Sequence, residues 1–225
     1  CSIQRRHQKL LEETPSPALT PDRRKKLLRA AVKAAQVCHL RNVATIEFLW
    51  DEDAQEFYFM EMNTRIQVEH PITEEVTGVD LVQLQIRAAA GEVLKLPESE
   101  LAPYGHAVEV RINAENPYKN FTPSPGMVHA VHFPGGPGIR IDSHVYSGYE
   151  IPPYYDSMIG KVIARGRTRE EALTRMARAL AEFKMVGPST TVPVAQALLT
   201  DARFLRGEYN TNFLEDFMND IFWVS

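Results

Sequence analysis

Five polar side chains occupy every second position from residue 61 to 69: Glu61, Asn63, Arg65, Gln67 and Glu69. On a strand, alternate side chains share a face about 6.6 Å apart, so these five would project together while Met62, Ile66 and Val68 turn to a core. A second alternating run, "ATIEFLW" (44–50), is joined to the first by the acidic "DEDAQ", which suits a hairpin loop. With the turn centred near residue 53, Glu47 lies across from Phe59 and diagonal to Glu61, about 7–8 Å between α-carbons. Two carboxylates that close repel unless something positive sits between them. A hard divalent cation answers this, since Mg²⁺ takes one or two carboxylates plus phosphate oxygens and water. Asn63 is placed to add a carbonyl. Arg65 offers a planar fork for a carboxylate or phosphate, and Glu69 is a candidate base beside a bound anion. Metal acids, anion clamp and base in line are what phosphoryl transfer from a magnesium nucleotide onto an oxyanion requires. The plainer alternative is a solvated sheet face, where alternating polar residues are ordinary.

The elements that must position these residues follow from local signals. Residues 1–13 are amphipathic and basic, and His7 taken alone reads as a surface histidine of a basic helix. "TPSPALTP" is a loop, after which Thr20 as N-cap and Pro21 at the first helical position start a helix to about residue 40. Leu27, Leu28, Ala31, Ala35 and Cys38 form its apolar stripe, which places Cys38 in a core. Residues 56–69 read as one strand and 79–91 as a helix opened by Asp80 and closed by Gly91. "LPESELAPYG" (96–105) is the expected seam between two domains. Beyond it, 106–115 alternates as a strand, 116–157 holds short strands broken by Pro and Gly, and "DSMIGKVIARG" is one more strand. Thr168 and Glu171 form a capping box for a helix whose stripe is Leu173, Met176, Leu180 and Phe183. A further helix is expected over 192–200, with a partly helical tail. "PGGPG" (134–138) lacks the strand–loop–helix setting and Lys-Ser/Thr ending of a phosphate loop, so it reads as a turn. The plan is α+β.

Composition sets the outer limits. A chain of 225 residues, 44% hydrophobic and 24% charged, can bury a core as one large domain or two small ones. A net charge of −4 argues against a nucleic-acid partner, because phosphate backbones are held by excess Lys and Arg. Cys1 and Cys38 cannot build a disulfide framework, which fits a reducing, cytoplasmic compartment. No apolar run approaches the ~18 residues of a membrane span, and no signal peptide opens the chain. The first residue is Cys, so the sequence reads as a piece of a longer polypeptide.

"EMNTRIQVEHPITEEVTGVDLV" resembles the signature of biotin carboxylases, ATP-grasp enzymes that load CO₂ onto biotin. The resemblance continues through "CSIQRRHQK", "EFLW", "GHAVEVRINAE", "PSPG", "PGGPGIRIDSHVYSGYEIPPYYDSMIGK" and the late "TN", and fades after about residue 216. It implies an α+β fold of antiparallel or mixed sheets with flanking helices, with 1–96 the C-terminal part of an ATP-grasp domain and 97–225 the biotin carboxylase C-terminal domain. It further implies that Glu47 and Glu61 coordinate Mg²⁺ (or Mn²⁺) on the ATP phosphates, with Asn63 supporting the metal. Lys9, Arg65, Gln67 and the backbone of Val68 match bicarbonate-binding positions. Glu69 matches the residue that deprotonates bicarbonate for attack on the γ-phosphate, giving carboxyphosphate. Arg111 matches the arginine that stabilises the biotin enolate; read without the family, it would pair with Glu109 or stand as a surface charge. Gln4 and His7 match nucleotide contacts, Leu49 lines the adenine pocket, and Asp156 has a supporting place.

The implied partners are bicarbonate, a biotin carboxyl carrier protein or domain carrying biotin as substrate, and a second copy of the chain in a homodimer. Arg140 lies in the region that approaches that second copy, where Pro137 replaces a bulkier residue of some relatives. A eukaryotic source would place the protein in the mitochondrial matrix or plastid. The family's glycine-rich phosphate loop and phosphate-binding lysines lie upstream of "CSIQRRHQ", so the isolated chain is expected to carry little carboxylase activity and bind ATP weakly. Two other readings stay in view: a non-catalytic dimerisation or docking module, and another ATP-grasp ligase such as carbamoyl-phosphate synthase. "EVRINAE" and "PPYYDSMIGK" argue against the second.

Overall fold

The computed structural model describes residues 1–96 and 102–222. In chain order, the first elements are β1 (Ile3–Arg5), β2 (Gln8–Thr14), α1 (Pro21–Val37), β3 (Thr45–Asp51), β4 (Glu56–Asn63), α2 (His70–Thr77) and α3 (Leu81–Ala89). β5 (His106–Asn113) follows, then the short strands β6 (Glu115–Asn116), β7 (Thr122–Pro123), β8 (Gly126–Met127) and β9 (Ala130–His132). Next come β10 (Ile139–Ser143), β11 (Glu150–Ile151), β12 (Met158–Gly166), α4 (Arg169–Glu182) and β13 (Lys184–Val186). The last helices are α5 (Val192–Leu198), α6 (Ala202–Arg206) and α7 (Phe213–Phe217). These elements form two compact units, Cys1–Thr14 with Tyr104–Ser225 (the sheet unit) and Pro15–Pro103 (the hairpin unit). Packing thus groups the first fourteen residues with the later part of the chain. Half of the seam read at 96–105, residues 97–101, lies outside the described residues.

The sheet unit is built on five antiparallel strands in the order β1-β2-β5-β12-β10. Val108, Val110, Ile112, Val162 and Ala164 from its two central strands share one buried cluster with Ala172, Leu173, Met176, Ala179 and Leu180 of α4. All four residues of the expected α4 stripe, including Phe183, are buried. Its cap departs slightly from the reciprocal box. Thr168 Oγ1 accepts from the Glu171 N–H at 3.2 Å, but the Glu171 carboxylate accepts from the N–H of Arg167 at 2.7 Å, one residue earlier. The "PGGPG" segment is a turn: Gly136 O accepts from Ile139 N at 3.2 Å and Gly135 O from Arg178 Nη2 at 2.9 Å.

Residues 1–13 form a hairpin, not a helix. β2 lies between β1 and β5 and buries Leu10, Leu11, Glu12 and Glu13 in succession. A strand covered on both faces has no period-two signal, so its pattern could not be told from a helical one. Arg6 and His7 close the β1–β2 hairpin with φ of 49° and 64°. A two-residue turn with both φ positive suits strand twist, but its usual residues are Asn and Gly. Left-handed backbone at other residues costs on the order of 1–3 kcal/mol. His7→Gly in the full-length protein is therefore expected to stabilise by about 1 kcal/mol and raise Tm by a few degrees. A Tm that falls in thermal unfolding would contradict this.

In the hairpin unit the expected starts are met. Thr20 Oγ1 accepts from Arg23 N at 3.4 Å at the head of α1, and Asp80 Oδ1 from Gln83 N at 2.8 Å at the head of α3. Gly91, φ 85°, follows the end of α3. Cys38 is exposed, not core: it is the C-cap that follows Val37, and no residue of α1, its stripe included, is buried. The β3–β4 turn is tied by Asp51 Oδ1, which accepts from Asp53 N at 3.0 Å and Ala54 N at 2.9 Å. Among the described residues, no helix is long and apolar enough to cross a membrane.

Candidate metal and anion site

β4 stops at Asn63, so the row of five polar residues does not ride on one strand. Glu61 and Asn63 lie on β4; Arg65, Gln67 and Glu69 lie on the turn leading into α2, where Glu69 is the N-cap residue. The polar alternation runs through both because each segment needs polar side chains for its own reason.

The acids meet more closely than the diagonal arrangement predicted. Glu47 is directly cross-strand from Glu61, and Thr45 from Asn63, while Phe48 pairs with Phe59. The change is a β-bulge between Glu47 and Phe48. Without it the turn-proximal register would set Glu47 against Met60 and send Glu61 to the other face. Asn63 Nδ2 donates to Glu61 Oε1 at 2.7 Å and to Glu47 Oε1 at 3.4 Å, so both carboxylates reach one amide nitrogen. Gln67 Nε2 donates to Glu47 Oε1 at 3.0 Å.

Gln67 is buried, and its Oε1 has no hydrogen-bond partner among the described residues. His70 fastens this turn twice, through its N–H at 3.2 Å and its Nδ1 at 2.7 Å from Gln67 O. Arg65 is exposed, with Nη1 donating to Ile66 O at 3.3 Å. Leu49 is exposed and pairs across the hairpin with exposed Tyr58.

This donor set fits a magnesium ion. The two convergent carboxylates are hard oxygen sources, and Mg²⁺ completes its octahedron with water and substrate phosphate rather than with a full protein cage. Asn63 and Gln67 turn their amide nitrogens to these acids, so the carbonyl expected of Asn63 faces the pair only after its amide rotates. No group of three or more His, Cys, Asp and Glu gathers among the described residues.

The remaining candidates are in the sheet unit. Gln4 is on β1, His7 in the strained turn and half-buried Lys9 on β2, cross-strand from Gln4. Asp156 caps the start of β12, its Oδ1 accepting from Met158 N at 2.8 Å. Arg111 is on β5, at the centre of the sheet. Its ion pair is with Glu12 of β2, not with Glu109: Nε and Nη2 lie 2.6 and 2.5 Å from Glu12 Oε1. Lys161 is directly cross-strand from Arg111 and lies 3.6 Å from Asp142, which Arg140 Nε also holds at 2.8 Å. Two neighbouring cations are thus flanked by acids, which offsets the repulsion of like charges across a strand pair. Burial pushes the Asp142 carboxyl up, but Arg140 and Lys161 outweigh it and hold it below its ordinary value. Glu12 escaped the sequence reading; its signal was an acid pair, Glu12-Glu13, set beside two leucines.

A model of the biotin carboxylase C-terminal domain matches residues 109–216, and one of the ATP-binding domain of the carbamoyl-phosphate synthase L chain matches 1–97. Biotin carboxylase 1 of Bacillus subtilis is 56% identical over 217 residues, 96% of this chain and 48% of that protein. The chain belongs to the biotin carboxylase family. The biotin carboxylase of a Nostoc species is likewise 56% identical, over 216 residues, 96% of this chain and 48% of that protein. Among solved structures, the biotin carboxylase domain dimer of Hydrogenobacter thermophilus 2-oxoglutarate carboxylase, in complex with MgADP, ADP and bicarbonate, superposes with a TM-score of 0.93. It is 46% identical, covering 96% of this chain and 48% of that one. The chain spans about half the length of these biotin carboxylase relatives. Both family readings, α+β and biotin carboxylase, therefore stand.

Proposed function

We propose that this chain supplies the metal, bicarbonate and biotin-activating residues of an enzyme that carboxylates biotin on a carrier protein or domain, using Mg-ATP and bicarbonate. The observation that carries the proposal is the convergence of Glu47 and Glu61 on the Asn63 amide. Glu47, Glu61 and Asn63 would hold Mg²⁺ (or Mn²⁺), which when bound neutralises phosphate charge. Gln67 orients Glu47 through its 3.0 Å hydrogen bond. Arg65, Lys9 and the backbone of Val68 bind bicarbonate as an anion, and Glu69 takes its proton. The resulting oxyanion attacks the γ-phosphorus, the bond to the β-phosphate oxygen breaks, and ADP leaves, giving carboxyphosphate. Carboxyphosphate then splits into CO₂ and phosphate, the phosphate takes the N1′ proton of biotin, and the Arg111 guanidinium stabilises the enolate oxygen as N1′ bonds to CO₂. Gln4, His7 and Leu49 contact the nucleotide, and the left-handed backbone that His7 shares with Arg6 is of the kind that functional turns often hold. A homodimer in the cytoplasm, or in a matrix or plastid, completes the proposal.

Glu61→Gln in the full-length enzyme tests the metal assignment. The Mg²⁺ concentration for half-maximal ATP cleavage is expected to rise by about tenfold or more, with Tm little changed. An unchanged metal dependence would remove Glu61 from the site.

A further inference from the structure

Arg111 sits in the middle strand region of a sheet, and the group that holds it there is Glu12. The Glu12 side chain is fully buried and that of Arg111 is 15% exposed. Both contacts, from Nε and from Nη2, go to the single oxygen Oε1. A guanidinium gripped along its Nε–Nη2 edge has its plane and direction fixed, which a single contact would not achieve. Apolar residues of similar volume often hold a fold as well as a buried ion pair does, so this pair is weak evidence of a stability role.

Glu12 is itself held in place from the other side of the sheet. Consecutive strand residues face opposite ways, and the next residue, Glu13, points to the helix face. There Arg169 donates to it at 2.7 and 3.0 Å, His106 Nε2 lies 2.7 Å away, and the Tyr209 hydroxyl donates as well. β2 is thereby pinned at the residue beside the one that grips Arg111.

We propose that Glu12 is a positioning residue for biotin activation: its carboxylate sets the direction in which Arg111 meets the ureido oxygen of biotin. This rests on the role given to Arg111 above. It also separates two parts of the reaction, because bicarbonate phosphorylation does not require the Arg111 guanidinium and transfer of CO₂ to biotin does.

The test uses the full-length enzyme in two assays, carboxylation of free biotin and bicarbonate-dependent ATP cleavage without biotin. For Glu12→Gln, kcat for biotin is expected to fall roughly ten- to hundredfold, with KM for biotin and the biotin-free cleavage changed less than about threefold. Adding Glu12→Gln to Arg111→Ala should lower the rate no further. Equal losses in both assays would mark Glu12 as merely structural and overturn the proposal, as would a full rate in Glu12→Gln beside a crippled Arg111→Ala. An Arg111→Ala enzyme that carboxylates biotin normally would overturn the role of Arg111, and this inference with it. If Glu12→Gln does not fold, Glu12→Asp, which withdraws the carboxylate by one methylene, is read by the same criteria.

Discussion

Glu69→Gln and Arg111→Ala, each in the full-length enzyme, are expected to lower biotin-dependent ATP cleavage by about two orders of magnitude or more. Binding of Mg-ATP should change less than about threefold, because neither residue belongs to the Glu47–Glu61–Asn63 set. Steady-state rates together with a nucleotide titration check this. A collapse of nucleotide affinity in either variant would move that residue from the chemistry to the binding site. The two losses also have different causes. On the roles proposed, the Glu69 variant loses the acceptor of the bicarbonate proton, whereas the Arg111 variant loses the guanidinium that meets the enolate oxygen.

The second large effect is on stability. Burial alone pushes the Glu13 carboxyl up, but hydrogen bonds from His106, Arg169 and Tyr209 and the charge of Arg169 outweigh it and hold its pKa at about 2. The same burial, with the Glu13 charge, pushes the Tyr209 hydroxyl up, so it stays a donor. A carboxylate with a depressed folded pKa contributes stability above its unfolded value of about 4.3 and loses it as pH falls toward 2. The shift corresponds to about 3 kcal/mol. Glu13→Gln should therefore cost about 3 kcal/mol at pH 7 in urea unfolding, and the difference from the unsubstituted protein should shrink steadily between about pH 4.5 and 2. A difference that stays constant across that range would mean the charge of Glu13 is not what stabilises the fold.

Much of the fold was legible because its signals are local. Thr20 with Pro21, Asp80, and Thr168 each place a polar acceptor where the first turn of a helix presents unbonded N–H groups, and no distant residue alters that. The alternation of β3 and the first half of β4 was equally clear. What escaped depends on neighbours. β2 shows no alternation because strands flank it and both faces are covered. The bulge after Glu47 changes register without changing composition, so the two acids could be given one face from sequence but not their direct pairing. The polar run from Glu61 to Glu69 read as one strand because a polar turn and a half-exposed strand call for the same side chains. α2 was missed for that reason, although Pro71 in its first turn and the i, i+4 pair Ile72 and Val76 were its signals.

The candidate site divided in the same way. The types of residue that could hold a metal were readable from the row, and the roles of Lys9, Gln4 and Arg111 came only from the family resemblance. Glu12 needed the structure, since it is ninety-nine residues from Arg111 in sequence. Cys38 shows the opposite error: its helical spacing suggested a core face, yet none of α1 is buried.

The proposal that these residues activate bicarbonate by phosphorylation is tested most directly by following its oxygen. The full-length enzyme, given ATP, biotin and ¹⁸O-labelled bicarbonate, should release phosphate carrying one ¹⁸O per turnover, and Glu61→Gln should lose labelled phosphate and ATP cleavage together. Phosphate released without label, at an undiminished rate, would contradict the account.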